Sequence, residues 1–250
     1  MSVLTIGRDA AAVVALVVVW QAVTVIFNVP AFLLPPPTVV AQAFANNAGA
    51  IAEATAQTSG EAMLGFVGGN LLGLALAVLF ARSRTVEQLG LPLAIALRSV
   101  PLVAITPVLT IMLGFGPLTI VVMAILISFF PALVAGTVGL RAPSAEALAL
   151  MRVLDAPERV LYLRLRIPAA LPYVFAAFKI SAPASVLAAM VAEWSAANNG
   201  LGYLIVDAGG RYRFPFMWAG IVAATALAVA AFALAALAER RAIRWPVETA

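Results

Sequence analysis

Few side chains in this chain could do chemistry, and their types narrow what that chemistry is. Among 250 residues there is no cysteine and no histidine. That removes disulfides, thiol nucleophiles and the commonest zinc ligands, and leaves only carboxylate metal sites as a formal option. A phosphate-cradling loop needs glycines followed by Lys-Ser or Lys-Thr. The glycine-rich stretch NNGLG at 198–202 lacks that ending, so energy from a nucleotide must come from another polypeptide. What remains are polar residues set singly in long apolar runs: Gln21, Thr24, Asn70, Thr106, Thr110, Ser128, Lys179, Ser181 and Ser185. A polar group facing lipid is costly, so these residues are candidates for a solute path. Lys179 in a cavity would favour an anionic solute; the alternative is a lysine that snorkels or pairs near the membrane face. Pro101 and Pro107 free helix hydrogen bonds and let their segment bend, either as part of a gate or as packing kinks.

The elements that must position these groups follow from composition. Hydrophobic residues make up 64% of the chain and charged ones 10%, against about a quarter charged in soluble domains. This is the composition of a membrane protein, and apolar runs of about twenty residues call for helices rather than alternating barrel strands. We expect one all-α transmembrane domain over residues 1–250, with six spans near 10–29, 63–80, 93–113, 120–138, 169–191 and 214–237. The first is expected to be an uncleaved span, because its run is too long for a signal-peptide core. Pro35, Pro36 and Pro37 stop the helix before them. A short surface helix is expected between Thr38 and Gly60. Gly65 and Gly69 share a helix face at the spacing that permits close helix contact, although glycine is common in membrane helices generally.

Basic residues assign the sides. Eleven of the fifteen lie at the N-terminus, in the segments 82–91 and 141–166, or after Leu237. Arg211 and Arg213 lie on the opposite side, and Arg98 and Lys179 lie within runs. The bias places both termini in the cytoplasm. With no basic block interleaved with aromatics, the charge orients the chain and does not bind nucleic acid.

The most charged stretch, Arg141 to Arg166, has helical grammar. Ser144 is positioned to cap a first short helix, and Asp155 with Glu158 has cap-box spacing for a second, with Pro157 tolerated in its first turn. Such a loop either fixes topology alone or offers a partner something to grip.

Three stretches carry a resemblance: PLVAITP at 101–107, RVLDAP at 152–157 continuing to LRIPAALP at 165–172, and VAEW at 191–194 followed by NGLGYLI at 199–205. Together they resemble the permease subunit of bacterial ABC importers of the binding-protein-dependent type I family, in the branch that includes nitrate, sulfonate, taurine and thiamine-precursor systems. The likeness runs from Leu34 to the last span. The family's signature is a cytoplasmic loop with Glu-Ala-Ala, three residues, Gly, nine residues and Ile-x-Leu-Pro. Its first three positions fall here on Ala149, Leu150 and Met151, its Gly on Asp155, and its ending on Leu165, Arg166, Ile167 and Pro168. The motif glutamate is therefore missing, although Glu146 sits one helical turn earlier. The resemblance implies a type I importer permease fold in the bacterial inner membrane. It further implies a permease homodimer, two copies of an ATPase subunit, an extracytoplasmic substrate-binding protein, and a non-catalytic transport role with no cofactor. The implied ATPase contact is Glu146, Ala149, Met151, Arg152, Asp155, Ala156, Glu158 and Arg159. The implied gate or path is Pro101, Thr106, Pro107, Lys179, Ser185 and Glu193. An ion-driven secondary carrier or a membrane scaffold are the alternatives. Too few spans, no inverted repeat and no embedded carboxylate count against the carrier.

Overall fold

The computed structural model describes residues 3–243, with side chains placed for 11–101 and 103–243. Arg8 and Arg244, counted in the charge bias, lie outside the described side chains. The described residues form helices throughout: α1 (Val3–Ile26), α2 (Pro37–Asn46), α3 (Ala48–Arg82), α4 (Arg84–Ser99), α5 (Leu102–Leu113), α6 (Pro117–Arg141), α7 (Ala145–Val153), α8 (Glu158–Leu161), a π turn (Tyr162–Arg166), α9 (Ile167–Ala196), α10 (Leu201–Gly210) and α11 (Phe214–Ala242).

Four helical stretches are long and apolar enough to cross a membrane: α3, α6, the continuous run Glu158–Ala196, and α11. A fifth appears if α4 and α5, which meet at a 100° bend, count as one broken span. α1 contributes a further apolar helix, described over Ala11–Ile26. The region 93–113 is therefore divided at Ser99–Pro101. Pro101 stands at the N-terminal boundary of α5, whereas Pro107 lies inside that helix without ending it. Extended backbone before a proline explains the first, since Val100 adopts φ −73°, ψ 126°.

α3 is longer than its apolar run suggests. The surface helix expected before it is confined to α2, which starts on Pro37 as its first residue. From Ala48 the chain runs unbroken for 35 residues, about 52 Å. Glu53, Gln57 and Glu61 interrupt the hydropathy of its first half without interrupting the helix.

The core is the three-helix packing of α3, α6 and α9, with α11 against α9 and α10. Lipid tails are as apolar as leucine, so close packing rather than water exclusion must hold these helices together. The seam between α3 and α6 is made of small residues. A Cβ at Gly65 would run into Ala124, one at Gly69 would lie 2.6 Å from the Ile125 carbonyl, and one at Gly73 would strike the Phe129 carbonyl. Alongside it Ile120, Met123, Val186, Ala189 and Ala192 form a buried cluster with Ala62.

Candidate functional site

Two regions carry the polar chemistry. The first is the charged loop between α6 and α9. Ser144 takes the N-cap of α7, its hydroxyl accepting from the Ala147 N–H at 3.2 Å. Glu146 in the first turn is fully exposed, and bonds from its own backbone N–H and the Ser144 hydroxyl hold its carboxyl below the usual carboxylate range. Neither α7 nor α8 buries a residue. Ala149, Arg152, Asp155, Glu158 and Arg159 are exposed, Met151 and Ala156 are half-buried, and Leu150, Val153 and Leu154 stand exposed among them. The surface is a mixed apolar and charged one.

Asp155 has a different role from the expected one. Helix α8 begins after Pro157, with no side-chain cap bond, so Asp155 does not cap it. Instead Asp155 has φ +48° and ends α7 as a left-handed C′ residue. The Asp155 N–H bonds the Arg152 carbonyl and the Ala156 N–H bonds the Met151 carbonyl, both at 3.0 Å, which is the Schellman pattern. The left-handed turn explains why a glycine suits this place in the signature, and why Asp, which tolerates that region better than most side chains, can stand in for it. Asp155→Gly is therefore expected to protect α7 by about 0.5–1 kcal/mol and Asp155→Val to expose it by at least as much. Hydrogen exchange of the 145–156 amides measures both.

The second region lies at the other ends of the spans. Glu193 is fully buried. Its Oε1 accepts from the Thr58 hydroxyl and its Oε2 from the Gly202 N–H, both at 2.6 Å. The Thr58 hydroxyl in turn accepts from the Leu201 N–H at 2.9 Å. Gly200, at φ +106°, brings the chain so close that a Cβ there would meet the Glu193 carboxyl. Buried Glu61 sits beside this group and accepts from Gln57 at 2.5 Å. Glu193 thus fastens the start of α10 to α3 and α9. Two acids, Glu61 and Glu193, lie within the helices, contrary to the expectation of no embedded carboxylate; both oxygens of Glu193 are met by donors from other helices, whereas Glu61 is met on one oxygen by Gln57 a turn away and its Oε2 accepts no bond among the described residues.

Most of the remaining expected path residues are engaged in bonds within or between helices, whereas the hydroxyl of Ser128, buried in α6, makes none among the described residues. Lys179 pairs with Glu239 of α11 at 2.7 Å. Asn70 and Ser181 bond each other, the Asn70 amide donating at 3.2 Å. Thr110 and Ser185 donate to the carbonyls of Thr106 and Ala182, and Thr106 is buried. Pro101 and Pro107 are exposed on α5. An apolar cavity of about 480 Å³ between α3, α9 and α11 takes in Ser185, with Phe66, Phe175 and Phe178 in its wall. Arg211 and Arg213, which weaken the charge bias, are both paired to Asp207. The pairs Thr58–Glu193 and Lys179–Glu239 had no signal in local spacing.

Comparison with known proteins finds relatives over most of the chain. The family described as "Binding-protein-dependent transport system inner membrane component" matches residues 69–244. An ABC transporter permease protein of Haemophilus influenzae is 32% identical over 207 residues, covering 83% of this chain and 84% of that protein. The riboflavin transport system permease protein RibX of Chloroflexus aurantiacus is 30% identical over 232 residues, covering 92% and 87%. Among solved structures, a chain of the MetNI methionine ABC transporter in an inward-facing conformation aligns with a TM-score of 0.61 at 20% identity, covering 79% of this chain and 96% of that one. That likeness shows a shared fold.

Proposed function

This chain belongs to the family of binding-protein-dependent transport system inner membrane components, and from that premise we propose how its parts serve transport. As a member it is a non-catalytic permease subunit, embedded in the membrane, of an ATP-driven importer. The proposed assembly is a homodimer in the bacterial inner membrane with both termini cytoplasmic. Two ATPase copies dock on the segment Glu146 to Arg159, and an extracytoplasmic binding protein delivers the solute. ATP-driven closure of the ATPases, passed through that segment, would alternate the access of the paired bundles. The carrying observation is α7–α8 itself, which buries nothing in this chain yet presents apolar and charged side chains together.

For the cargo we propose a small solute of the range implied by the resemblance, from small anions such as sulfonate or nitrate to thiamine precursors. The Lys179–Glu239 pair takes away the free cation that argued for an anion.

The test is co-purification of the tagged chain from its native membrane in mild detergent. A stoichiometric ATPase is expected, and Glu146→Arg or Asp155→Arg should reduce its retention by about tenfold or more. Asp155→Gly, which removes charge but relieves the left-handed turn, separates charge from backbone strain. A chain that purifies alone and transports into vesicles without ATP would overturn the reading.

A further inference from the structure

The charges of the loop do not all face outward. Where α8 passes through the π turn into α9, the Arg82 guanidinium carbon lies 4.9 Å from the centre of the Tyr162 ring and that of Arg166 5.1 Å from it. Arg82 closes α3 and also approaches Glu158 at 3.5 Å. Arg166 reaches the end of α6, donating to the Leu140 carbonyl at 3.3 Å. Next to Leu140, Arg141 pairs with Glu87 of α4 at 2.6 Å and donates to the Phe80 carbonyl of α3. One aromatic ring thus gathers the cytoplasmic ends of α3 and α6 onto the root of α9, around a cleft of about 460 Å³.

The segment beyond this ring has little other hold on the bundle. α7 and α8 bury no residue, while the π turn packs on α6, α8 and α9. The exposed Arg82–Glu158 pair is screened by water and contributes little by itself. A cation held over a ring face adds a contribution of similar size at such a margin, and here two guanidinium groups share one ring. The π turn, with the Ile167 N–H reaching back to the Tyr162 carbonyl, is also where the helical ladder changes register, a feature that recurs at moving or functional positions.

We propose that Tyr162, clasped by Arg82 and Arg166, is the positioning residue through which movement of α7–α8 reaches the spans. The proposal rests on the docking role given above for the loop. A push on α7 travels along α8 to the ring. Through Arg82 and Arg166 it then moves the ends of α3 and α6 together with the start of α9. Without the ring the loop still binds its partner, but its displacement is taken up at the π turn instead of in the bundle.

The experiment uses the whole transporter, permease with its co-purified ATPase, in proteoliposomes. It measures ATP hydrolysed and solute moved for Tyr162→Ala, Tyr162→Phe and Arg82→Gln. Tyr162→Ala is expected to retain the ATPase and its hydrolysis while transport per ATP falls about five- to tenfold, the factor that one to two cation–π contacts represent. Tyr162→Phe keeps the ring face and should restore the ratio. An unchanged ratio in Tyr162→Ala, or equal loss in Tyr162→Phe, overturns the proposal. Should Tyr162→Ala fail to assemble, Arg82→Gln decides, because Arg82 is exposed and its loss cannot unfold the chain: a lowered ratio supports the clasp and a wild-type ratio overturns it. If the unaltered chain recovers no ATPase, it is the docking reading that fails.

Discussion

Gly69→Ala will destabilise the folded chain by about 1–3 kcal/mol, and Gly69→Leu will prevent its accumulation in the membrane. The added Cβ would sit 2.6 Å from the Ile125 carbonyl and 2.7 Å from the Ser128 Cβ, so α3 and α6 must separate to admit it. Two closely packed helices cannot part at one point without losing contact along their length, and lipid offers no compensating drive to close them again. Gly60 in the same helix is the internal control, since a Cβ there meets nothing within 4 Å. Gly60→Ala should therefore stabilise by about 0.5–1 kcal/mol through helix propensity. Thermal unfolding in one detergent, read for both, should give opposite signs. Equal effects would mean that α3 and α6 do not approach as described.

The second large effect is expected at Glu193. Glu193→Ala leaves the Thr58 hydroxyl and the Gly202 N–H buried without their acceptor. At about 1–3 kcal/mol for each stranded donor, the loss is about 2–6 kcal/mol, enough to release α10 from α3. Glu193→Gln keeps one acceptor oxygen and turns a second donor toward one of the two partners, so an intermediate loss is expected. Limited proteolysis of the 197–213 connection reports detachment of α10, and thermal unfolding reports the total. If Glu193→Ala were cut no faster than the parent chain, Glu193 would not be the fastening.

The physical basis of these effects also explains what could be read from the chain beforehand. Helices in lipid must satisfy their own backbone, so composition and run length suffice for an all-helical membrane protein, the importer permease fold itself was legible only through the three stretches that carry the resemblance, and local grammar suffices for Ser144. The same grammar misassigned Asp155. Its spacing to Glu158 matches a cap box, but Pro157 already stands at the N-cap of α8, and the residue that needs explaining is the one that closes α7. The early start of α3 was hidden because Glu53 and Glu61 read as polar interruptions, whereas Asn199 and Gln57 supply their partners. Thr58 with Glu193, Asn70 with Ser181 and Lys179 with Glu239 stand 135, 111 and 60 residues apart. No periodicity encodes such pairs, and only the packing of α3, α9 and α11 brings them together. For that reason residues that looked available to a solute are mostly engaged in holding helices.

The 12 residues of α5 make a rod of about 18 Å, well short of the roughly 30 Å hydrocarbon core. The chain leaves this rod at one end through the 100° bend and at the other through Gly114 and Gly116. α5 alone therefore cannot bridge that core, and the remaining thickness on its flank has to be filled by another part of the chain, such as α4 across the bend, or by a neighbouring molecule.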